Sequence, residues 1–388
     1  PSTRLALQGA SMIFNISASN ELVGKADYRR LLIQRQSGSC VCGYAYCSAG
    51  VLESTTDLVF GGHCLFAENG SVIRESEKFQ STHSAVADID VAFLNRERRR
   101  VSSFSEACLE RCGGMTPGAA VRNIAVKMPD TERSFPPYRR PINSLPFVPP
   151  AKRKRQERCR EIFAIQSNGL ATRLRHAGID GAVLGLSGGL DSTLALLVTV
   201  EAFRRLGRSP EHIHCVTMPG FGTSERTKSN VTSLCRHLEV ALETIDITES
   251  CRRHLKEIGH DAVSDDVVFE NAQARERTQI LMDKANMVNG LVVGTGDLSE
   301  LALGWCTYNA DHMSMYAVNC GVPKTLVTFL IQFVADTWED EALSATLRDI
   351  LETPITPELL PPDANGDIAQ KTEDVIGPYE LHDFFLYY

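Results

Sequence analysis

The sequence predicts an α/β protein whose C-terminal part is a doubly wound parallel sheet. From Gly181 onward, apolar runs alternate with amphipathic segments of helical length, the pattern of parallel strands joined by crossover helices. The stretch Gly181 to Leu206 goes from the apolar triplet Ala182, Val183, Leu184 through Ser187-Gly188-Gly189 into a helix. Leu190, Leu194, Leu197 and Val198 lie on one face of that helix. Before residue 101, strand signals of another kind occur, two of them joined at Glu68-Asn69-Gly70, a hairpin turn signal.

Taken in order, Ser11 to Ser17 reads as a buried strand, Ala26 to Gln36 as a basic helix and Cys40 to Ala49 as a second buried strand. Leu58 to Glu68 and Gly70 to Phe79 form the hairpin. Ser84 to Val91 alternates as a further strand, and Phe93 to Arg100 is a helix. Between Val101 and Pro150 the prolines at 117, 129, 136, 137, 141, 146, 149 and 150 exclude long helices and predict a linker. The expected domains are therefore 1–100, a linker over 101–151, and 152–388. Lys152 to His176 opens the last as an amphipathic helix, its basic run a solvated helix start. Strands are expected over Ala182 to Leu184, His212 to Met218, Ala241 to Ile247 and Leu291 to Gly294. Ser224 caps a helix to Leu238.

Composition narrows the function. Of 388 residues, 40 are Lys or Arg and 48 Asp or Glu, a net charge of −8 that argues against a nucleic-acid or membrane-surface binder. No apolar run approaches the ~20 residues of a bilayer span; the longest, Thr325 to Ala335, contains Gln332 and reads as a core helix. The 12 cysteines lack zinc spacing, and the pairs Cys40/Cys42 and Cys108/Cys112 have no matching partners. Free thiols in a reducing cytosol are expected, hence a cytoplasmic protein without a secretory signal. Pro1 stands in mid-pattern with no methionine before it, so a fragment is expected.

The Ser187 turn carries the sharpest chemistry. A strand, a glycine turn and a helix N-terminus present free N–H groups and a positive dipole end to an anion. Glycine lets a phosphate approach the backbone. Asp191 could hold a magnesium ion, and Ser187, Ser192 and Thr193 could donate to phosphate oxygens. An ordinary serine-capped turn would use the same residues, but here strand, turn and helix occur together. The Gly-x-x-x-x-Gly-Lys-Ser/Thr phosphate loop is absent. In a parallel sheet, ligands bind at the carboxyl ends of the strands. Three loops converge there: the Ser187 turn, Thr217 to Gly220, and Gly294 to Glu300. Met218 reads equally as core or as an adenine contact. Phe269 to Arg277 is a helix with a buried-looking Asn271, and Trp305 to Tyr308 with Met313 to Asn319 suits a stacked ring ligand or a packed lid.

Ser187-Gly-Gly-Leu-Asp-Ser192 resembles the pyrophosphate loop of the ATP pyrophosphatases, which implies an adenine nucleotide alpha-hydrolase-like fold. Asn15-Ile-Ser-Ala-Ser-Asn20 with Gly24 to Arg30, and Glu53 to Asp57, resemble the second half of a nitrilase-like α/β sandwich glutaminase domain. Its catalytic Glu, Lys and Cys would fall upstream of Pro1, so glutaminase activity is not expected of this chain; glutamine binding at Ser19 and Lys25 is. Together with Met218-Pro-Gly220, Glu270 to Arg277, Gly294 to Glu300, Trp305 to Tyr308, Lys371 to Asp374 and Ile376 to Tyr379, these stretches resemble the glutamine-dependent NAD synthetase family.

That resemblance implies ATP-dependent amidation of deamido-NAD through an acyl-adenylate, with Mg2+ as cofactor and ATP as co-substrate. It implies ATP binding by Gly185, Leu186, Ser187, Gly188, Gly189, Leu190, Asp191, Ser192, Met218 and Thr295. Deamido-NAD would meet Asn271, Arg275, Glu300, Trp305, Cys306, Thr307, Tyr308 and Lys371. Asp191 and Glu300 would carry the metal, and Asp191, Ser187 and Lys324 the catalysis. Small-molecule substrates and a homo-oligomer are expected, with no nucleic-acid or membrane partner. Two alternatives stand beside this: another pyrophosphate-loop adenylating enzyme, such as a tRNA-modifying one, and a non-catalytic nucleotide-binding fragment.

Overall fold

The structure, a computed structural model, describes residues 1–388 apart from 54–56, 82–83, 113–121, 123, 128–138, 141, 222–224, 262–265 and 354–371, and apart from the side chains of 111, 112 and 225. It divides into two units, Pro1–Ile142 and Asn143–Tyr388. Among the described residues no helix is long and apolar enough to cross a membrane.

The first unit holds a four-stranded sheet in the order β1 (Met12–Ser17), β2 (Gly43–Ser48), β3 (Cys64–Glu68), β4 (Ser71–Glu75). β1 runs parallel to β2, and the other pairs are antiparallel. Asn69 and Gly70, with φ of 43° and 85°, make the predicted hairpin turn, whose hand suits the strand twist. Helix Lys25–Ser39 places Ile33 in a core with Ile13, Tyr44, Tyr46, Leu65 and Ala67. Three expectations change here. β1 is buried on one face only: Phe14 and Ile16 alternate to the other face and are 73% and 91% exposed. Ser84 to Val91 is not a strand. The Asp90 N–H donates to Glu68 and the Asp90 carboxylate accepts from Phe93 N, so these groups start helix Val91–Arg100 instead of joining a ladder. A helix, Ser102–Cys112, occupies the start of the stretch read as linker, ahead of the first proline at 117.

Fully buried His63 stands between Arg29 and Glu75, each 2.8 Å away. Burial, and to a lesser degree Arg29, lower its pKa below the ordinary 6.5, although Glu75 pulls the other way. The folded state therefore binds this proton less readily than the unfolded chain does. Its stabilising effect is complete above about pH 6.5 and is lost as the pH falls from there through the folded-state value. The melting temperature of the first unit is expected to fall over that window, and less steeply in His63→Gln. A slope identical in the two proteins would remove His63 as its cause.

The second unit is built on five parallel strands in the order β7 (Ala241–Thr244), β6 (Ile213–Thr217), β5 (Gly181–Gly185), β8 (Gly290–Gly294), β9 (Tyr316–Ala317). Alternate strand residues enter two different cores, as a sheet covered on both faces requires. Ala182, Leu184, Ile213, Cys215, Leu291 and Val293 face one, with helices Lys152–Ala177, Leu190–Leu206 and Lys324–Thr337. Val183, Val216 and Val292 face the other, with helices Thr248–Glu257 and Val267–Met287. The chain leaves β5 outward through β6 and β7, then returns to β8 on the opposite side. The switch point, where such sheets bind ligands, therefore lies between the carboxyl ends of β5 and β8. The predicted cap Ser224 lies outside the described residues; its helix runs Glu225–His237.

Candidate active site

β5 ends at Gly185, and the chain turns through Ser187, Gly188 and Gly189 into helix Leu190–Leu206. Gly188 has φ +85°, and a Cβ there would come within 2.3 Å of Thr227 Cγ2, so both backbone and space demand glycine. No side chain caps the helix. Instead the Ser187 hydroxyl accepts from Gly189 N at 3.2 Å and lies 3.3 Å from Ser192 Oγ. Ser192 and Thr193 hydroxyls donate to Gly189 O, leaving the turn's outer face to Ser187 and Gly189, both exposed. Leu186 and Leu190 point into the core.

β8 ends at Gly294, where a Cβ would meet Ser314 Oγ at 2.3 Å. Thr295 and Gly296 lead to Asp297, which caps helix Leu298–Leu303 by accepting from Glu300 N at 2.9 Å. Asn319, fully buried, bridges the two loops: its amide donates to Asp191 O and Thr295 O, each at 3.0 Å, and its oxygen accepts from Gln166.

Across the switch point, Lys324 brings the site together. It is 2% exposed, and its Nζ lies 2.6 Å from Asp191 Oδ2, 2.7 Å from Asp297 Oδ2 and 2.8 Å from Glu300 Oε1. Asp297 Oδ2 makes an ion pair without a hydrogen bond. A buried cation must be paired; burial alone would lower the Lys324 pKa, but Asp191, Glu300 and Asp297 together outweigh it and raise it well above the ordinary lysine value. Three carboxylates share this one ammonium, so negative charge remains in excess. Burial first, and Asp191 second, push Asp297 up to about 6 and Glu300 up to about 8.

The fit to a divalent cation follows from two observations. Ligand oxygens of Asp191, Asp297 and Glu300 lie within 4.8 Å of one another, and Asp191 Oδ1 is buried with no hydrogen-bond partner. Hard carboxylate oxygens with uncompensated charge are the donor set magnesium takes.

The remaining predicted residues distribute as follows. Asn271 is half-buried rather than buried, and the fully buried amide on that helix is Gln273. Arg275, exposed, donates to Tyr308 O at 3.3 Å, tying helix Val267–Met287 to the loop Trp305, Cys306, Thr307, Tyr308. That loop is fastened to the site by Trp305 N on Glu300 O, while the Tyr308 side chain is 75% exposed. Met218 is 7% exposed and packs with Val183, Val216 and Ile247, the core alternative; its carbonyl accepts from Arg277. Lys371 lies outside the described residues. In the first unit, Lys25 Nζ is engaged by Asn20 O and Oδ1 at 2.7 and 2.8 Å, and Ser19 Oγ accepts from Arg29 at 3.4 Å. Sequence reasoning missed Asp297 and Asn319. Asp297 had a signal, being the capping residue at the start of a short helix inside a loop already singled out.

A family model described as NAD synthase matches residues 162–387. Over its whole length the chain is similar to the glutamine-dependent NAD(+) synthetase of Mycobacterium leprae, 43% identical and covering 57% of that protein. It is likewise similar to that of Thermotoga maritima, 30% identical and covering 61%. The chain thus spans less than two thirds of the length of these curated relatives. A solved structure titled as the NMN synthetase from Francisella tularensis superposes with a TM-score of 0.50 at 23% identity, over 59% of this chain and 86% of that one, which speaks to the fold alone.

Proposed function

The chain belongs to the NAD synthase family, and on that premise we propose that its second unit forms NAD from deamido-NAD, ATP and ammonia. The observation that carries this reading is the Lys324 ammonium ringed by Asp191, Asp297 and Glu300 beside the Gly188–Gly189 turn. In the proposed first step, an oxygen of the nicotinate carboxylate attacks the α-phosphorus of ATP and pyrophosphate leaves. Ammonia then adds to the acyl carbon and AMP leaves with that oxygen, giving the amide.

Such a transfer asks a protein for positioning and for control of charge. The N–H groups of Gly188 and the start of helix Leu190–Leu206 would hold the departing pyrophosphate with the Ser187 hydroxyl, joined by Gly189 N–H and the Ser192 hydroxyl on giving up their bonds to Ser187 Oγ and Gly189 O. Lys324 fixes Asp191 and Glu300 in place through its ammonium, at 2.6 and 2.8 Å. Asp191 and Glu300, with Asp297 behind them, would hold magnesium, whose charge would offset that of the triphosphate. Thr295 and Gly185 would border the nucleotide, with Leu186, Leu190 and Met218 contributing main chain while their side chains stay in the core. The loop Trp305 to Tyr308, with Asn271, Arg275 and Lys371, would receive deamido-NAD. Arg275 already holds that loop through Tyr308 O, which supports the assignment.

Glutamine binding at Ser19 and Lys25, a homo-oligomeric assembly, a cytoplasmic location and the domain limits 1–100, 101–151 and 152–388 belong to the same proposal. With ammonium chloride, ATP and magnesium, the chain is expected to convert deamido-NAD to NAD with one AMP and one pyrophosphate per turnover. Formation of ADP and phosphate, or no dependence on deamido-NAD, would contradict the reading.

A further inference from the structure

Helix Tyr379–Tyr387 places two residues one turn apart, Tyr379 and Asp383, against the start of helix Lys324–Thr337. Asp383 is 1% exposed, and a buried carboxylate is costly unless donors surround it. Its Oδ1 accepts from the Ser299 hydroxyl in a short hydrogen bond. Its Oδ2 accepts from Thr325 N at 2.9 Å and Thr325 Oγ1 at 2.6 Å.

Helix Lys324–Thr337 has Pro323 at its N-cap and no side-chain cap of its own. Its first N–H, from Lys324, donates to Ser299 Oγ at 2.9 Å, and its second, from Thr325, to Asp383. The helix start is thus capped by groups distant in sequence, and both are adjacent to site residues: Ser299 precedes Glu300, and Thr325 follows Lys324. Tyr379, 2% exposed, sets its ring 5.2 Å from Lys324 Nζ.

We propose that Asp383 is a positioning residue that fixes the Lys324 ammonium among Asp191, Asp297 and Glu300, which makes helix Tyr379–Tyr387 part of the catalytic apparatus. The inference rests on the adenylating role given to that cluster. Three donors converge on the two Asp383 oxygens. An asparagine of the same volume offers one acceptor oxygen and turns an NH2 toward donors, so it cannot hold Ser299 and Thr325 together.

Asp383→Asn is expected to lower kcat for deamido-NAD-dependent ATP–pyrophosphate exchange about 10- to 100-fold, the usual effect of losing a partner behind a ligand shell. KM for ATP and for deamido-NAD should stay near the parent's, while the melting temperature falls with the lost buried hydrogen bonds. A folded variant with the parent's kcat overturns the proposal. If Asp383→Asn does not fold, Ser299→Ala breaks the link between Lys324 N–H and Asp383 while Thr325 keeps its bonds; a folded Ser299→Ala with the parent's kcat also overturns it. The 15N resonance of the Lys324 ammonium, assigned by its loss in Lys324→Arg, gives a readout independent of turnover. It should shift or exchange faster in Asp383→Asn, and an unchanged resonance refutes positioning. Should the parent chain show no exchange at all, the functional reading fails while this resonance still decides the role of Asp383.

Discussion

Replacing Lys324 by methionine is expected to cost about 3–5 kcal/mol of stability, the usual consequence of removing one member of a buried ionic group. Deamido-NAD-dependent exchange should fall on the order of 100-fold or more, as when a preorganised charge is lost from a site. Methionine keeps most of the lysine's length and fills its space, so the loss reports charge rather than a cavity. Without the ammonium, Asp191, Asp297 and Glu300 face one another inside 4.8 Å with nothing positive between them. Asp297, already raised to about 6, would take up a proton near neutral pH, and Glu300, already raised to about 8, would hold its proton more firmly, so neither would suit the magnesium proposed there. Thermal melts with the exchange assay check both effects. A variant as stable and as active as the parent would mean that Lys324 is a bystander.

Asp191→Ala separates catalysis from stability in the opposite sense. Exchange is expected to drop by a factor of about 1000, since the residue that joins the turn proposed for pyrophosphate to the carboxylates proposed for magnesium is gone. Stability should hold or rise slightly, because Lys324 keeps Asp297 and Glu300 at 2.7 and 2.8 Å while the carboxylate that raises both their pKa values is removed. Exchange and a thermal melt on the same preparation read this contrast. Undiminished exchange would take Asp191 out of the site, and a large loss of stability would mean that its pairing with Lys324 is structural.

The second unit was largely legible in the sequence. Gly181 to Leu206 states its structure locally: an apolar triplet, a turn that only glycine can make at Gly188, and a helix with one leucine face. The loop after β8 was singled out as well, though not its capping residue Asp297. What could not be read is convergence. Lys324 lies 133 residues from Asp191 in sequence, and nothing near it announces that its ammonium reaches Asp191, Asp297 and Glu300. Asn319 and Asp383 were hidden for the same reason, as their partners are all distant in the chain. In the first unit the errors were of another kind. Ser84 to Val91 alternates as a strand would, but side chains of Glu68 and Asp90 claim its end. Periodicity also cannot tell a strand buried on two faces from one buried on one, hence the exposed Phe14 and Ile16.

The chemical event proposed for the Ser187–Asp191 turn is the attack of a nicotinate carboxylate on the α-phosphorus of ATP. Deamido-NAD carrying 18O in both carboxylate oxygens, incubated with the chain, ATP, magnesium and ammonium chloride, tests it directly by mass spectrometry of the AMP. One 18O in each AMP phosphate for every NAD formed is the predicted result. NAD formed alongside unlabelled AMP would contradict it.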